Sequence, residues 1–153
     1  MKLEKHLSQW CSEQSEQFVK NHSSLSECLV LTPDGFAVSS RDGANQHNNS
    51  RVARLATIAS SLHAVSYAIS EEAQIGPQNV VIIDAHGGKF VVCSFQLANH
   101  NLILAMLGTA SATPGTIFVL AKNFALQASL ATTEFAAPAT YAVPTNTSLF
   151  ETA

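Results

Sequence analysis

Ser61, His63 and Asp84 are the residue types of a nucleophile, its base and an orienting carboxylate, the one set in this chain that could be assembled for acyl transfer. No serine lies in a Gly-x-Ser-x-Gly elbow, and a serine-rich chain supplies such triples by chance, so a small hydrolase stands only as a minor alternative. His86 and Cys93 flank a predicted turn and could share a metal, but a structural site wants about four ligands and only these two are locally placed. Residues 108–115 are small and threonine-rich without the Lys-Ser/Thr ending that grips phosphates. The Gly87-Gly88-Lys89 turn lacks the preceding glycine spacing. No catalytic residue, cofactor or metal is therefore assigned.

Arg41, Arg51 and Arg54 are the only arginines, and two of them fall at the start of a long predicted helix. An arginine there opposes the helix dipole, which draws interest to Arg51 and Arg54 as partner-binding residues that could reach into a phosphate site. A solvated helix face is the plainer reading of the same pair.

The elements that must position these groups follow from composition and period. With 153 residues, 46% hydrophobic and 12% charged, the chain suits a single domain with a sizeable core. Its net charge of −3, with bases scattered singly, argues against a nucleic-acid partner. The opening Met1-Lys2-Leu3-Glu4-Lys5 is not a secretory signal, and runs such as residues 102–107 are too short to span a bilayer, so a cytoplasmic protein without a membrane partner is expected. Cys11, Cys28 and Cys93 are odd in number and widely spaced, which reads as reduced thiols.

Leu3, Leu7, Trp10, Cys11 and Phe18 predict an amphipathic helix over residues 3–19. Residues 27–32 form a strand, Pro33-Asp34-Gly35 a turn and 36–39 its return. A polar connector leads to Asn49 or Ser50, which can cap a helix over 51–72. That helix carries an apolar stripe (Val52, Leu55, Ile58 or Ala59, Leu62, Val65, Ile69) and a small-residue stripe (Ala53, Ala56, Ser60, Ala64, Ala68) that would admit another helix closely. After Gly76-Pro77 come a strand at 80–83, a turn at 86–89, strands at 90–93 and 102–107, and a final helix opened by Thr113-Pro114 and running to about Leu130. Strands that do not alternate apolar with polar imply helices on both faces of the sheet.

In the order and spacing of these elements, residues 3–130 resemble the roadblock/dynein light-chain family. The local marks are the strand ending at Asp34-Gly35, the long helix containing Leu55-Ala56-Thr57-Ile58-Ala59-Ser60-Ser61-Leu62, the hairpin around Gly87-Gly88, and Gly115 near the start of the last helix. The resemblance implies an α+β, three-layer α/β/α fold of roadblock/profilin type. Its five-stranded antiparallel sheet would have the long helix on one face and the two terminal helices on the other. It further implies a non-catalytic homodimer that regulates or scaffolds a small Ras-like GTPase. The dimer would pair strand residues Val80, Val81, Ile82, Ile83 and Asp84 edge to edge and pack Ala53, Ala56, Ser60 and Ala64 between helices. An open edge at 80–83 would independently favour such pairing. The domain is placed at residues 1–131, followed by an extended or loosely docked tail over 132–153, whose Phe135, Tyr141, Leu149 and Phe150 could cover apolar surface. A small-ligand sensory module of the same architecture is the second reading.

Overall fold

The computed structural model describes residues 3–42, 49–78 and 80–136. Helix α1 (Lys5–Asn21) turns Leu7, Cys11, Ser15 and Phe18 inward at three- and four-residue spacing, the face the sequence predicts. Strands β1 (Leu25–Leu31) and β2 (Ala37–Asp42) are antiparallel neighbours. Between them, Gly35 takes φ +93°, which a side chain would strain. The Thr32 hydroxyl accepts the Phe36 N–H at 3.1 Å, and the Thr32 N–H reaches the Phe36 carbonyl at 2.8 Å.

Helix α2 (Asn49–Glu72) then crosses the sheet, and β3 (Val81–Ala85), β4 (Gly88–Leu97) and β5 (His100–Gly108) follow as antiparallel hairpins before α3 (Pro114–Ala136). The order across the sheet is β2-β1-β5-β4-β3, which leaves β2 and β3 at the edges. Thr113 caps α3 as expected, its hydroxyl accepting the Thr116 N–H at 3.1 Å.

The sheet is apolar on both faces because successive residues point to opposite sides. Cys28 and Val30, Val91, Cys93 and Phe95, and Leu102, Leu104 and Met106 pack with α1 and α3. The intervening Leu29 and Leu31, Val92, Ile103 and Ala105 pack with Ala56 and Ala59 of α2. The expected three layers are therefore present, but unequally. Among the described residues, twenty buried ones make the α1/α3 side and seven the α2 side. Phe124 is the hub of the larger side, edge-on to Trp10, Phe18 and Phe95 with ring centroids 5.8, 5.2 and 5.4 Å away.

Two expectations are corrected. The last helix continues past the expected boundary at 131 to Ala136. Thr132 belongs inside it because its hydroxyl donates to the Ala128 carbonyl at 2.9 Å and accepts the Ala98 N–H at 2.8 Å, tying the helix to the β4–β5 turn. Phe135 stands edge-on to His6 at 5.3 Å. The rest of the tail, including Tyr141, Leu149 and Phe150, lies outside the described residues, as does most of the connector before α2. The β3–β4 turn is also shorter than expected. Only His86 and Gly87 form it, and Gly88 and Lys89 already pair with Ala85 and Asp84. Gly88 is required there, since a Cβ would stand 2.6 Å from the Gly108 carbonyl oxygen of the adjacent strand.

Candidate interaction surface

Helix α2 is apolar on more than the side it buries. Among the described residues it is the one helix long and apolar enough to cross a membrane by length and composition, with a mean hydropathy of 1.2 within Ser50–Glu72. Reading runs of strand residues alone misses this, because the apolar character of α2 is spread around its circumference. Its inward stripe is Val52, Leu55, Ala56, Ala59 and Leu62, packed on the sheet. Ile58, Val65 and Ile69 run along the flank of that stripe and are 62%, 58% and 59% exposed. A helix apolar all round normally lies buried.

The stripes expected from sequence are thus divided. Ala53 and Ala64 are exposed on the outward side. Ala56 is fully buried against the sheet and has no surface to offer another chain, which corrects its place in a helix–helix interface. Ser60 is largely occupied within the protomer: its hydroxyl donates to the Pro33 carbonyl at 2.6 Å, and it lines the space beside Gly35. Alanine and serine fit either side of such a helix, so their spacing alone cannot tell sheet contact from partner contact.

Beside α2 lies the open edge. Val80 and Ile82 pack toward the α1/α3 side, so Val81 and Ile83 point to the α2 side. Ile83 is 46% exposed. A two-residue turn makes Ala85 and Gly88 the last hydrogen-bonded pair of the hairpin. Ile83 and Val81 therefore direct their backbone groups to β4, and those of Ile82 and Asp84 face outward along the edge. The Asp84 carboxylate is held 3.0 Å from the Lys89 ammonium, whose side chain is largely buried and also donates to the Ala85 carbonyl at 3.4 Å. Where β3 meets the end of α2, Ile69, Ile75, Gln78, Val80, Ile82 and Phe118 line an open groove of about 600 Å³. Sequence reasoning did not find this groove, since its walls come from α2, α3, β3 and the segment before β3; the lone Ile75 after a helix end, 74% exposed, was its one sign.

Arg51 and Arg54 differ. Nη1 of Arg51 lies 2.7 and 2.8 Å from the two carboxylate oxygens of Glu27 on β1, an ion pair that ties α2 to the sheet and engages this guanidinium within the protomer. Arg54 is exposed on the outward side, its guanidinium 3.4 Å from the Ser50 hydroxyl and next to a shallow dent formed by Ala53, Thr57 and Ile58.

Ser61, His63 and Asp84 are not brought together. The Ser61 hydroxyl donates to the Thr57 carbonyl at 3.0 Å on the exposed side of α2. His63 is half-buried, and its burial lowers its pKa. Asp84 points to the opposite face of the sheet, toward Lys89. His86 sits exposed at the hairpin tip whereas Cys93 is buried, and among the described residues no group of three or more His, Cys, Asp or Glu side chains is placed to hold a metal. Burial pushes the Cys11 and Cys28 thiols up to about 12 and Cys93 to about 11, the opposite of an activated nucleophile.

Solved structures share this architecture. MglB in a tetrameric arrangement superposes with a TM-score of 0.70 at 15% identity, over 86% of this chain and 94% of that one. The gliding protein MglB of Thermus thermophilus gives 0.69 at 14% identity, over 86% and 95%. The roadblock/LC7 domain of Streptomyces avermitilis gives 0.64 at 14% identity, over 76% and 92%. No family model and no curated protein matches the sequence. The chain has the roadblock/LC7 fold.

Proposed function

We propose that this chain is a cytoplasmic, non-catalytic homodimeric module that regulates or scaffolds a small Ras-like GTPase. The observation that carries the reading is the pairing of an open strand edge with an exposed apolar helix face on the same side of the sheet: Ile83 on β3, and Ile58, Val65 and Ile69 on α2. A second copy related by a two-fold axis would satisfy the edge and cover the helix together. Two features support a regulatory rather than an enzymatic role. The Ser, His and Asp side chains are dispersed, and the fold is the one whose sequence resemblance implies GTPase partners. Arg54, at the outward start of α2, is the residue best placed to meet such a partner.

The test mixes the purified chain with purified small Ras-like GTPases loaded with GDP or with a non-hydrolysable GTP analogue, and reads complex formation by light scattering and GTP turnover separately. A complex that depends on the bound nucleotide and weakens in Arg54→Ala supports the reading. Absence of a complex with any GTPase of the set, in either nucleotide state, removes the GTPase from it.

A further inference from the structure

Helix α3 presents apolar side chains to two sides. Ile117, Leu120, Phe124, Ala128 and Ala131 face the sheet and are buried. Val119, Leu126 and Leu130 fall within about 40° of one another on the opposite side, at 3.6 residues per turn. There they are 53%, 56% and 53% exposed. Only Lys122 and Glu134 are charged among the 23 residues of the helix. A helix with an apolar line on each side has two surfaces to cover, and the sheet covers one.

We propose that the C-terminal segment of this chain, residues 137–153, covers the other. It turns back at Pro138 and runs antiparallel along α3, with Tyr141 on Leu130 and Val143 on Leu126. This contact lies on the opposite face of the sheet from α2, so it stands whether or not two copies associate.

The segment starts where the apolar line ends. Ala136 closes the helix, and Pro138 bars its continuation because the ring clashes and no N–H is left to donate. Between Pro138 and Pro144 lies Ala139-Thr140-Tyr141-Ala142-Val143, in which larger side chains alternate with small ones. Threonine, tyrosine and valine favour extended backbone. In an extended run Tyr141 and Val143 share one side about 6.6 Å apart, and Leu130 and Leu126 stand about 6 Å apart along the helix, so the two spacings match. Reach is sufficient as well. Five residues from Ala136 to Tyr141 span up to about 17 Å, and Leu130 lies about 9 Å back along the helix, which leaves slack for the reversal. Val119 lies about 10 Å beyond Leu126, within range of Leu149-Phe150 after the turn-forming Pro144-Thr145-Asn146. A segment tethered at Ala136 meets this line at an effective concentration in roughly the millimolar range, which an unlinked partner does not match.

The experiment is limited chymotrypsin digestion of the full chain, with mass spectrometry following cleavage after Tyr141. A synthetic peptide of residues 137–153 is the undocked reference. The protease needs the site free of the helix, so the rate follows the undocked fraction, and the wild-type chain is expected to be cut about tenfold more slowly than the peptide. Leu130→Asp should bring the rate close to that of the peptide. Ile58→Asp, the same change at an exposed position on α2, should leave it at the wild-type value. A second readout is free of added charge. Under mild oxidant, Leu130→Cys combined with Tyr141→Cys should close a disulfide within one chain, whereas Leu130→Cys combined with Thr140→Cys, whose residue 140 points away, should not. The native cysteines are buried and do not compete. Wild-type cleavage at the rate of the peptide overturns the docking, as does an Ile58→Asp effect as large as that of Leu130→Asp. Equal disulfide yields from residues 140 and 141 overturn the register. A disulfide that joins two chains assigns the surface to a second copy's segment and overturns the proposal as well.

Discussion

Replacing Phe124 by Ala removes the side chain around which the α1/α3 side is organised. The residue is fully buried and meets three other rings edge-on. Truncating a buried phenylalanine costs about 3–5 kcal/mol through lost transfer energy and an incompletely collapsed cavity. Three edge-on partners, each worth roughly 0.5–1.5 kcal/mol, keep this site off the low end of that range, at ~4 kcal/mol. With a urea slope of about 2 kcal/mol per molar, the unfolding midpoint should fall by roughly 2 M, with the slope itself unchanged. The measurement is urea unfolding by circular dichroism at one fixed protomer concentration, because association would otherwise shift the midpoint. Phe36→Ala is the control: that ring is 65% exposed at the β1–β2 turn and should cost no more than about 0.5 kcal/mol. A Phe124→Ala midpoint within about 0.5 M of the parent would refute the view that this hub holds α3, and with it the wall carrying Phe118, against the sheet.

Other outcomes follow from the same geometry. Arg51→Ala should lower stability by about 0.5–1 kcal/mol at low salt and by less at high salt, since its Glu27 pair is partly exposed; Arg54→Ala should leave the midpoint unchanged. All three thiols should resist an aromatic disulfide reagent at pH 8 until the chain is unfolded in urea. Their raised native pKa values mean that above about pH 9 the unfolded chain loses protons the folded chain keeps. Stability should therefore be insensitive to these groups below pH 9 and decline from there toward pH 12; Cys28→Ser, read by urea midpoint against pH, should flatten part of that decline. His63 acts in the other direction. Burial depresses its pKa, so stability is present above the ordinary value of 6.5 and is lost as the pH falls below it, a slope that His63→Gln should reduce.

Local signals in the sequence were strong where one residue type answers one physical demand. Pro33-Asp34-Gly35 marks a turn because Gly35 must take a positive φ, and Thr113-Pro114 marks a helix start because threonine can cap and proline needs no N–H. Apolar strands at 80–83 and 102–107 signalled a sheet covered on both faces, which the two clusters bear out at β5, whereas Ile83 of β3 stands exposed on the α2 side. Legibility failed where a residue fits two environments. Ala56 and Ala64 share one spacing, yet one is buried on the sheet and the other faces out. The end of α3 was hidden because Thr132 looks like a breaker until its hydroxyl is seen bridging Ala128 and Ala98. The ion pair of Arg51 with Glu27 joins residues 24 apart and leaves no trace in local pattern. The groove combines segments from α2, β3 and α3 and could be found only in three dimensions.

Light scattering coupled to size exclusion at micromolar concentration, on the wild-type chain and on Ile83→Glu, addresses the homodimer most directly. The expected result is twice the protomer mass for the wild type and the protomer mass for the variant, with circular dichroism unchanged between them. A monodisperse wild-type monomer, or an Ile83→Glu chain that remains dimeric, would contradict association through the β3 edge.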